Sequence, residues 1–342
     1  MRNLNIQIPA VILRIVFFTV FFIAHAKPSK IKNDEAVVFY RQSAWLDKDV
    51  WVIPVFAFVY EPEDSRVRKA LVKKFLKKKY GIEVDDDAIF SKRVNAFLSD
   101  KESGKILEVK IADKKYELKA TDSHGFVYQE IRIDKAVIEK HAVNNFVQIT
   151  LMNKGGKELS TKVKLVPDKG TTIISDIDDT VKISNVTSKK KLMQSTFMKA
   201  FTFVDGMAKA YRESAYEVQF VSSSPYQLYP ELCAAFDTEK FPWAQFHMKK
   251  VRLTNSSLFD LFKKGTESKP VQIEAIIKRW PNRQYILIGD DGEQDPEVYA
   301  GIKEKYPKKI IGIYIRTVSN RKLPDGMSAF KNGKELQKLL KR

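Results

Sequence analysis

Apolar and polar residues alternate in short runs through the first half of the chain. Leu107, Val109 and Ile111 alternate with Glu108 and Lys110, Ile131 and Ile133 with Glu130 and Arg132, and Val163 and Leu165 with Lys162 and Lys164. A period of two sends one set of side chains to a buried face and the other to water. Repeated between residue 36 and about residue 166, it predicts an antiparallel, β-rich, sandwich-like domain. Two stretches break the pattern as a helical insertion: 66–80, where Val67, Leu71 and Phe75 recur four apart with Val72 and Leu76 beside them, and Asp87 to Leu98. Pro167-Asp168-Lys169-Gly170 then supplies turn chemistry. Beyond it the pattern predicts strands at 171–175, 217–221, 285–288 and 310–315. Helices at about 196–214, 225–236, 270–280 and 296–306 alternate with them. Such alternation implies right-handed βαβ units around a parallel sheet, where ligands gather outside the carboxyl ends of the strands.

The residues that follow those strands are therefore the informative ones. Thr172-Ile-Ile-Ser-Asp-Ile-Asp-Asp-Thr180 runs from an apolar strand straight into Asp176, Asp178, Asp179 and Thr180. Acids cap helices and make turns, but carboxylates crowded at a strand tip raise one another's pKa unless a cation neutralises them. Hard oxygen donors of this kind suit Mg²⁺ together with substrate phosphate oxygens. The second strand ends in Ser222-Ser223-Ser224-Pro225; Ser224 suits an N-cap and Pro225 a first helical position, and a helix N-terminus beside a hydroxyl makes a phosphate site. A later strand ends in Gly289-Asp290-Asp291-Gly292-Glu293-Gln294-Asp295-Pro296, with Asp290 facing the same crevice and Asp295 suited to an N-cap. Lys269, before Pro270, is a fixed cation that can hold a phosphoryl group against the carboxylates.

Composition narrows the setting. The chain has 342 residues, room for two domains, and its 44% apolar and 30% charged content is that of a globular protein. Arg2 and Arg14 precede the apolar stretch Ile15–Ile23 and Ala24-His25-Ala26, the layout of a cleaved secretory signal. The expectation is export to the periplasm or outside; a retained membrane anchor is the alternative, although a span of about 20 apolar residues would force Arg14 inside. Cys233 is the only cysteine, so no disulfide is expected, and its apolar neighbours make it a small core residue. A formal net charge of +18 favours anionic partners. Eight cations and no acid lie in 66–79, either as a peripheral contact with an anionic membrane surface or as the solvated face of a packed helix. No nucleic-acid motif accompanies them, so nucleic acid is not expected.

In order, Asp-x-Asp-x-Thr, Ser, Lys and Gly-Asp-x-x-x-x-Asp on an alternating α/β pattern resemble the haloacid-dehalogenase-like phosphatases. More narrowly, Ser175-Asp-Ile-Asp-Asp-Thr-Val-Lys182, Val221-Ser-Ser-Ser-Pro-Tyr-Gln-Leu228, Phe241-Pro242 and Gly289-Asp-Asp-Gly-Glu-Gln-Asp-Pro-Glu-Val-Tyr299 resemble the actin-patch-protein type phosphatidate phosphatases, relatives of lipins. The resemblance covers about residues 170 to 318. It implies an α/β haloacid-dehalogenase-like Rossmannoid domain, here preceded by the β-rich domain. The expected organisation is a signal peptide at 1–26, a β-rich accessory domain at 27–168, the phosphatase domain at 169–325 and a basic C-terminal tail helix at 326–342. It further implies Asp176 as nucleophile and Asp178 as acid and base. Mg²⁺ would be held by the Asp176 side chain, the Asp178 backbone carbonyl and Asp290; Ser222 and Lys269 would bind phosphoryl oxygens, with Thr180 fixing the loop. Asp179 is expected to be a local structural acid. Two positions depart from the family pattern: Asp291 stands where Ser is common, and Trp243-Ala-Gln-Phe246 follows Phe-Pro where Gly is common, at the expected border of the substrate entrance. The implied activity is Mg²⁺-dependent hydrolysis of phosphatidate. A soluble phosphomonoester or phosphoprotein as substrate, and a non-catalytic anionic-lipid-binding protein, are the alternatives.

Overall fold

The computed structural model describes residues 28–84, 88–152, 159–250 and 268–341. The expected signal at 1–26, and Asp87 at the start of the expected second helix, lie outside them. In the amino-terminal half, the long strand Val50–Glu61 pairs antiparallel with Phe126–Asp134 along one edge and with Gln42–Asp47 and Ala36–Phe39 along the other. Gln42–Asp47 continues in parallel to Leu159–Leu165, and from there the sheet runs antiparallel through Phe146–Leu151, Glu108–Ile111 and Lys114–Glu117. Its two halves face each other, because Ile53, Val55 and Ala57 share one buried cluster with Val109, Ile149 and Val163. The alternation is the expected one: Val109, Ile111, Ile131 and Ile133 are buried while Lys110, Glu130 and Arg132 are exposed.

Val50–Glu61 is nevertheless buried along almost its whole length. One of its faces fills the β-domain; on the other, Phe56 and Phe58 join Tyr40 and Phe126 in the same buried cluster as Tyr226, Tyr229 and Phe246 of the carboxyl-terminal half. Polar contacts seal this seam. Ser43 N–H donates to Gln245 Oε1 at 2.9 Å, the Gln219 amide donates to Ser43 Oγ at 3.0 Å, and Arg41 pairs with Asp237 at 2.7 Å. The β-domain thus shares a core with the parallel-sheet domain.

Among the described residues that second domain has six parallel strands in spatial order Gln245–Lys249, Glu217–Pro225, Gly170–Ser175, Arg283–Asp290, Ile310–Arg316 and Ser328–Phe330. Numbered within the domain this is 3-2-1-4-5-6, which reverses direction between Gly170–Ser175 and Arg283–Asp290. Such a reversal opens a crevice at the carboxyl ends of the two strands. Helices cover both faces.

Three features differ from the sequence expectation. The helix expected over 196–214 is two helices, Lys189–Phe197 and Met207–Ser214. Between them the chain is held extended, Ile183 N–H donating to Thr202 O at 2.8 Å and Val204 N–H to Val181 O at 2.9 Å. Tertiary pairing overrides local propensity there. Gln245–Lys249 and Ser328–Phe330 are strands that the pattern did not predict, the second only three residues long. The basic C-terminal helix expected at 326–342 forms over Gly333–Leu340, shorter than expected, with Leu336 and Leu340 buried and packed on Met207–Ser214. The two helices cross at glycines, since a Cβ on Gly333 would stand 1.9 Å from the Gly206 carbonyl carbon.

Candidate active site

The two strands beside the reversal end in Asp176 and Asp290, and Asp176 N–H donates to Ile288 O at 2.9 Å, locking the two tips together. Both side chains are buried. Thr180 Oγ1 bridges them, donating to Asp176 Oδ2 at 3.3 Å or to Asp290 Oδ2 at 3.2 Å. Lys269 is buried at the second position of the Ser268–Arg279 helix and pairs with Asp176 Oδ1 at 3.0 Å. Its ammonium also bonds Asp295 Oδ1. One oxygen each from Asp176, Asp290 and Asp295 lies within 4.8 Å of the others. Three buried carboxylates against one ammonium leave the pocket net negative. Burial pushes the Asp176 carboxyl well above its usual range, with Asp295, Asp290 and Asp178 adding to the rise and Lys269 opposing it. Burial and then Asp295 push Asp290 up to about 8. This donor set fits a hard divalent cation, which supplies the missing positive charge.

Asp295 enters this cluster against expectation. The N-cap position belongs to Gln294, and Asp295 is turned inward, 2% exposed, accepting from Lys269 and from the Asp290 N–H at 3.4 Å. Its only signal in the sequence was its place at the end of Gly-Asp-x-x-x-x-Asp.

Asp178 stands apart from the three. Its Oδ1 meets Lys182 Nζ at 2.7 Å and accepts from Ser184 Oγ at 2.7 Å; its Oδ2 accepts from Ser222 Oγ at 3.0 Å and Ser224 Oγ at 2.8 Å. With its carboxylate so engaged, the backbone carbonyl is the donor that this residue has left for a cation. Burial works to raise the Asp178 pKa, but the Lys182 charge and the Lys182, Ser184 and Ser224 hydrogen bonds outweigh it and hold the carboxyl below the usual range. The raised pKa expected for an acid catalyst is therefore absent in this resting arrangement. Ser224 is not an N-cap: the strand runs on through Pro225, and after the short 3₁₀ turn Tyr226–Leu228 the helix begins at Tyr229. Lys182 carried no signal beyond its place at the end of the resembling stretch Ser175–Lys182, and Ser184, two residues past it, carried none.

The remaining carboxylates build walls. Asp179, with φ of +57°, accepts from the N–H groups of Ser184 at 2.7 Å, Asn185 at 2.8 Å and Val186 at 2.6 Å, so it shapes the loop that follows. Asp291 turns away from the pocket and accepts from Val318 N–H at 2.5 Å and Ser319 N–H at 2.7 Å. Trp243 does not border the entrance; it packs edge-on against Phe146 of the β-domain at 5.3 Å, with the Arg41 guanidinium 5.8 Å away. Cys233 is half-buried among Tyr229 and apolar neighbours, and burial pushes its thiol pKa up, as befits a packing residue. The inserted helices pack on the Lys189–Phe197 helix that follows the loop after Asp176. Arg93, on Ala88–Leu98, bonds Glu231 at 2.7 Å and the carbonyls of Ser195 and Thr196 at 3.0 and 2.7 Å, and lies 4.0 Å over the Phe201 ring.

Residues 171–317 match the family model described as phosphatidate phosphatase APP1, catalytic domain. An uncharacterized protein of Schizosaccharomyces pombe is 29% identical over 233 residues, 62% of this chain and 38% of the relative. Phosphatidate phosphatase APP1 of Saccharomyces cerevisiae is 32% identical over 162 residues, 44% of this chain and 26% of the relative. The chain thus spans well under half the length of the curated relatives it matches. Among solved structures, a phosphoserine phosphatase from T. onnurineus aligns at 15% identity over 40% of this chain and 56% of its own, with a TM-score of 0.25. The residues matched by the family model, 171–317, contain the ends of both strands beside the reversal and the carboxylates gathered at it.

Proposed function

We propose that this protein is a Mg²⁺-dependent phosphatase that hydrolyses phosphatidate, or a closely related phospholipid phosphomonoester, to inorganic phosphate and the free alcohol. The observation that carries the reading is the division of the pocket into two carboxylate environments. Asp176 is paired with Lys269 beside Asp290 and Asp295, while Asp178 is held separately by Lys182 and three serines. Two carboxylates in unlike surroundings suit two roles.

In the first half-reaction an Asp176 oxygen attacks phosphorus in line and the bond to the leaving oxygen breaks, giving an aspartyl-phosphate. Asp178 gives its proton to the departing alkoxide. For that it must first carry one, so its resting ties have to loosen; phosphoryl oxygens arriving at Ser222 draw one donor away from it. In the second half-reaction Asp178 takes a proton from water, water oxygen bonds to phosphorus, and the Asp176 carboxylate leaves. Lys269 and Ser222 hold the transferring oxygens throughout. Asp176, Asp290 and the Asp178 backbone carbonyl would hold Mg²⁺, with Asp295 close enough to complete the shell. When bound, the ion neutralises charge between the carboxylates and the phosphate. The printed name of the yeast relative, a phosphatidate phosphatase, supports the lipid substrate.

The test is phosphate release from phosphatidate in detergent micelles, with Mg²⁺ and with a chelator, beside an Asp176→Asn variant and a soluble phosphomonoester. Mg²⁺-dependent release that the variant lacks is the expected result. Turnover of the soluble compound with none from lipid would replace the substrate and keep the chemistry; binding of lipid without any release would make the protein a lipid-binding module.

A further inference from the structure

The Arg66–Tyr80 helix divides its apolar residues between two faces. Val72 and Leu76 are buried with Phe90, Val94 and Phe97 of the neighbouring helix and with Met193 and Phe197 of the Lys189–Phe197 helix. Val67 and Leu71, one turn apart, are instead 73% and 62% exposed. Packing explains the first pair and gives no reason for the second. The outer face continues from Val67 and Leu71 through Lys74 and Lys78, both exposed, at helical spacing.

The fold then brings in cations that are distant in sequence. A Cβ on Gly81, just past the end of this helix, would stand 3.9 Å from Lys190 Nζ, so the exposed Lys189, Lys190 and Lys191 lie beside the carboxyl-terminal end of the helix. Within 66–79, Arg68 pairs with Glu63, Lys69 with Asp64 at 2.5 Å and Lys77 with Glu83 at 2.8 Å, and the outer face draws its charge from Lys74 and Lys78 with the three lysines of 189–191 beside its end. The patch also has a definite position relative to the pocket. Lys189 follows two residues after Thr187, whose Cγ2 lies 3.6 Å from where a Gly292 Cβ would be, and Gly292 N–H donates to Asp290 Oδ1 at 2.8 Å. The lysines therefore begin at the rim of the carboxylate crevice, next to the half-exposed Val318.

We propose that this composite face, formed by Val67, Leu71, Lys74 and Lys78 with Lys189–Lys191, docks the protein on an anionic lipid bilayer and presents the crevice to headgroups. Apolar side chains flanked by lysines match the boundary between acyl chains and anionic headgroups. A polynucleotide would use the lysines but not Val67 and Leu71, and the aromatic residues of the helix, Phe75 and Tyr80, pack edge-on against each other at 5.8 Å and are half-buried rather than offered for base stacking. Among the described residues no helix is long and apolar enough to cross a membrane. Its purpose rests on the phospholipid reading of the crevice; its existence can be tested separately.

The experiment is co-sedimentation of the full chain with phosphatidylcholine vesicles, with and without phosphatidylglycerol, which is not a phosphomonoester. Two variants are compared with wild type: Val67→Ser/Leu71→Ser and Lys74→Ser/Lys78→Ser. Wild type is expected to partition onto the anionic vesicles and not the neutral ones, and each variant to lose about tenfold or more in partitioning. Both variants keep wild-type turnover of a soluble phosphomonoester and of micellar phosphatidate, and lose turnover of phosphatidate in vesicles. Equal partitioning onto neutral and anionic vesicles, variants that bind as wild type does, or binding to a random oligonucleotide without binding to vesicles would each overturn the proposal. Vesicle binding lost in the variants, with no release from micellar phosphatidate by wild type, would keep the docking face and remove the substrate.

Discussion

Replacing Asp290 by asparagine tests the electrostatics of the pocket without any assumption about substrate. Asp290 is 1% exposed, and its pKa is pushed up to about 8 by burial and by Asp295, against the opposing effects of Lys269 and the Gly292 N–H. In the unfolded chain the same carboxyl titrates near about 3.9. Between those values the folded protein binds a proton that the unfolded chain does not, so stability falls as pH rises across that window. The limiting slope is about 1.4 kcal/mol per pH unit, and the accumulated cost for an isolated site at pH 7 is about 4 kcal/mol. Coupling to Asp176 spreads this cost, and the asparagine carbonyl can still accept from Gly292, so the expected gain in the metal-free Asp290→Asn variant is about 1–3 kcal/mol near neutral pH. The assay is urea unfolding in chelator from about pH 5 to about pH 8. Wild type should lose stability along that range and the variant should lose less. A divalent cation at about a hundred times its Kd should add about 2.7 kcal/mol to wild type and much less to the variant. A variant less stable than wild type at the upper end, or the same pH slope in both, would refute the reasoning.

Other substitutions separate chemistry from architecture. Asp178→Asn should lower phosphate release by about 10²–10⁴-fold, read in steady-state assays, while leaving cation-induced stabilisation in place. Asp291→Ala removes the acceptor for the Val318 and Ser319 N–H groups and should cost about 1–3 kcal/mol in urea unfolding, with cation affinity unchanged. Gly333→Ala drives a methyl group into the Gly206 backbone and should cost about 3 kcal/mol or more; a melting temperature equal to wild type would show that the two helices can separate without loss.

The parts of the fold that local pattern controls were legible, and the parts set by tertiary pairing were not. The alternating strands of the β-domain can be read because burial there follows a period of two, and the strand tips carrying Asp176 and Asp290 because each ends a short, continuously buried apolar run. The break after Phe197 cannot, since 202–204 leave the helical pattern only to pair with 181–183. Trp243 reads as an entrance residue until Phe146, nearly a hundred positions earlier, is seen to cover it. The pocket divides in the same way. Spacing places the carboxylates at the reversal of the sheet, but it does not say which of them bears a proton. Lys269 and Lys182 make that choice: the first sits among three carboxylates and cannot offset the burial that raises Asp176 and Asp290, whereas the second meets Asp178 with three serine hydroxyls around it and keeps it ionised. Because one of those serines lies in the loop after Asp178 and two lie at the end of the Glu217–Pro225 strand, the ionisation of Asp178 depends on how the Ile183–Ser188 segment sits against Ser222–Ser224. Arg93 anchors the helix that continues this segment and stacks on Phe201, whose ring lies 5.3 Å from Lys182 Nζ. The inserted helices of the β-domain are thereby joined, contact by contact, to the residue that the proposed mechanism needs to gain and lose a proton.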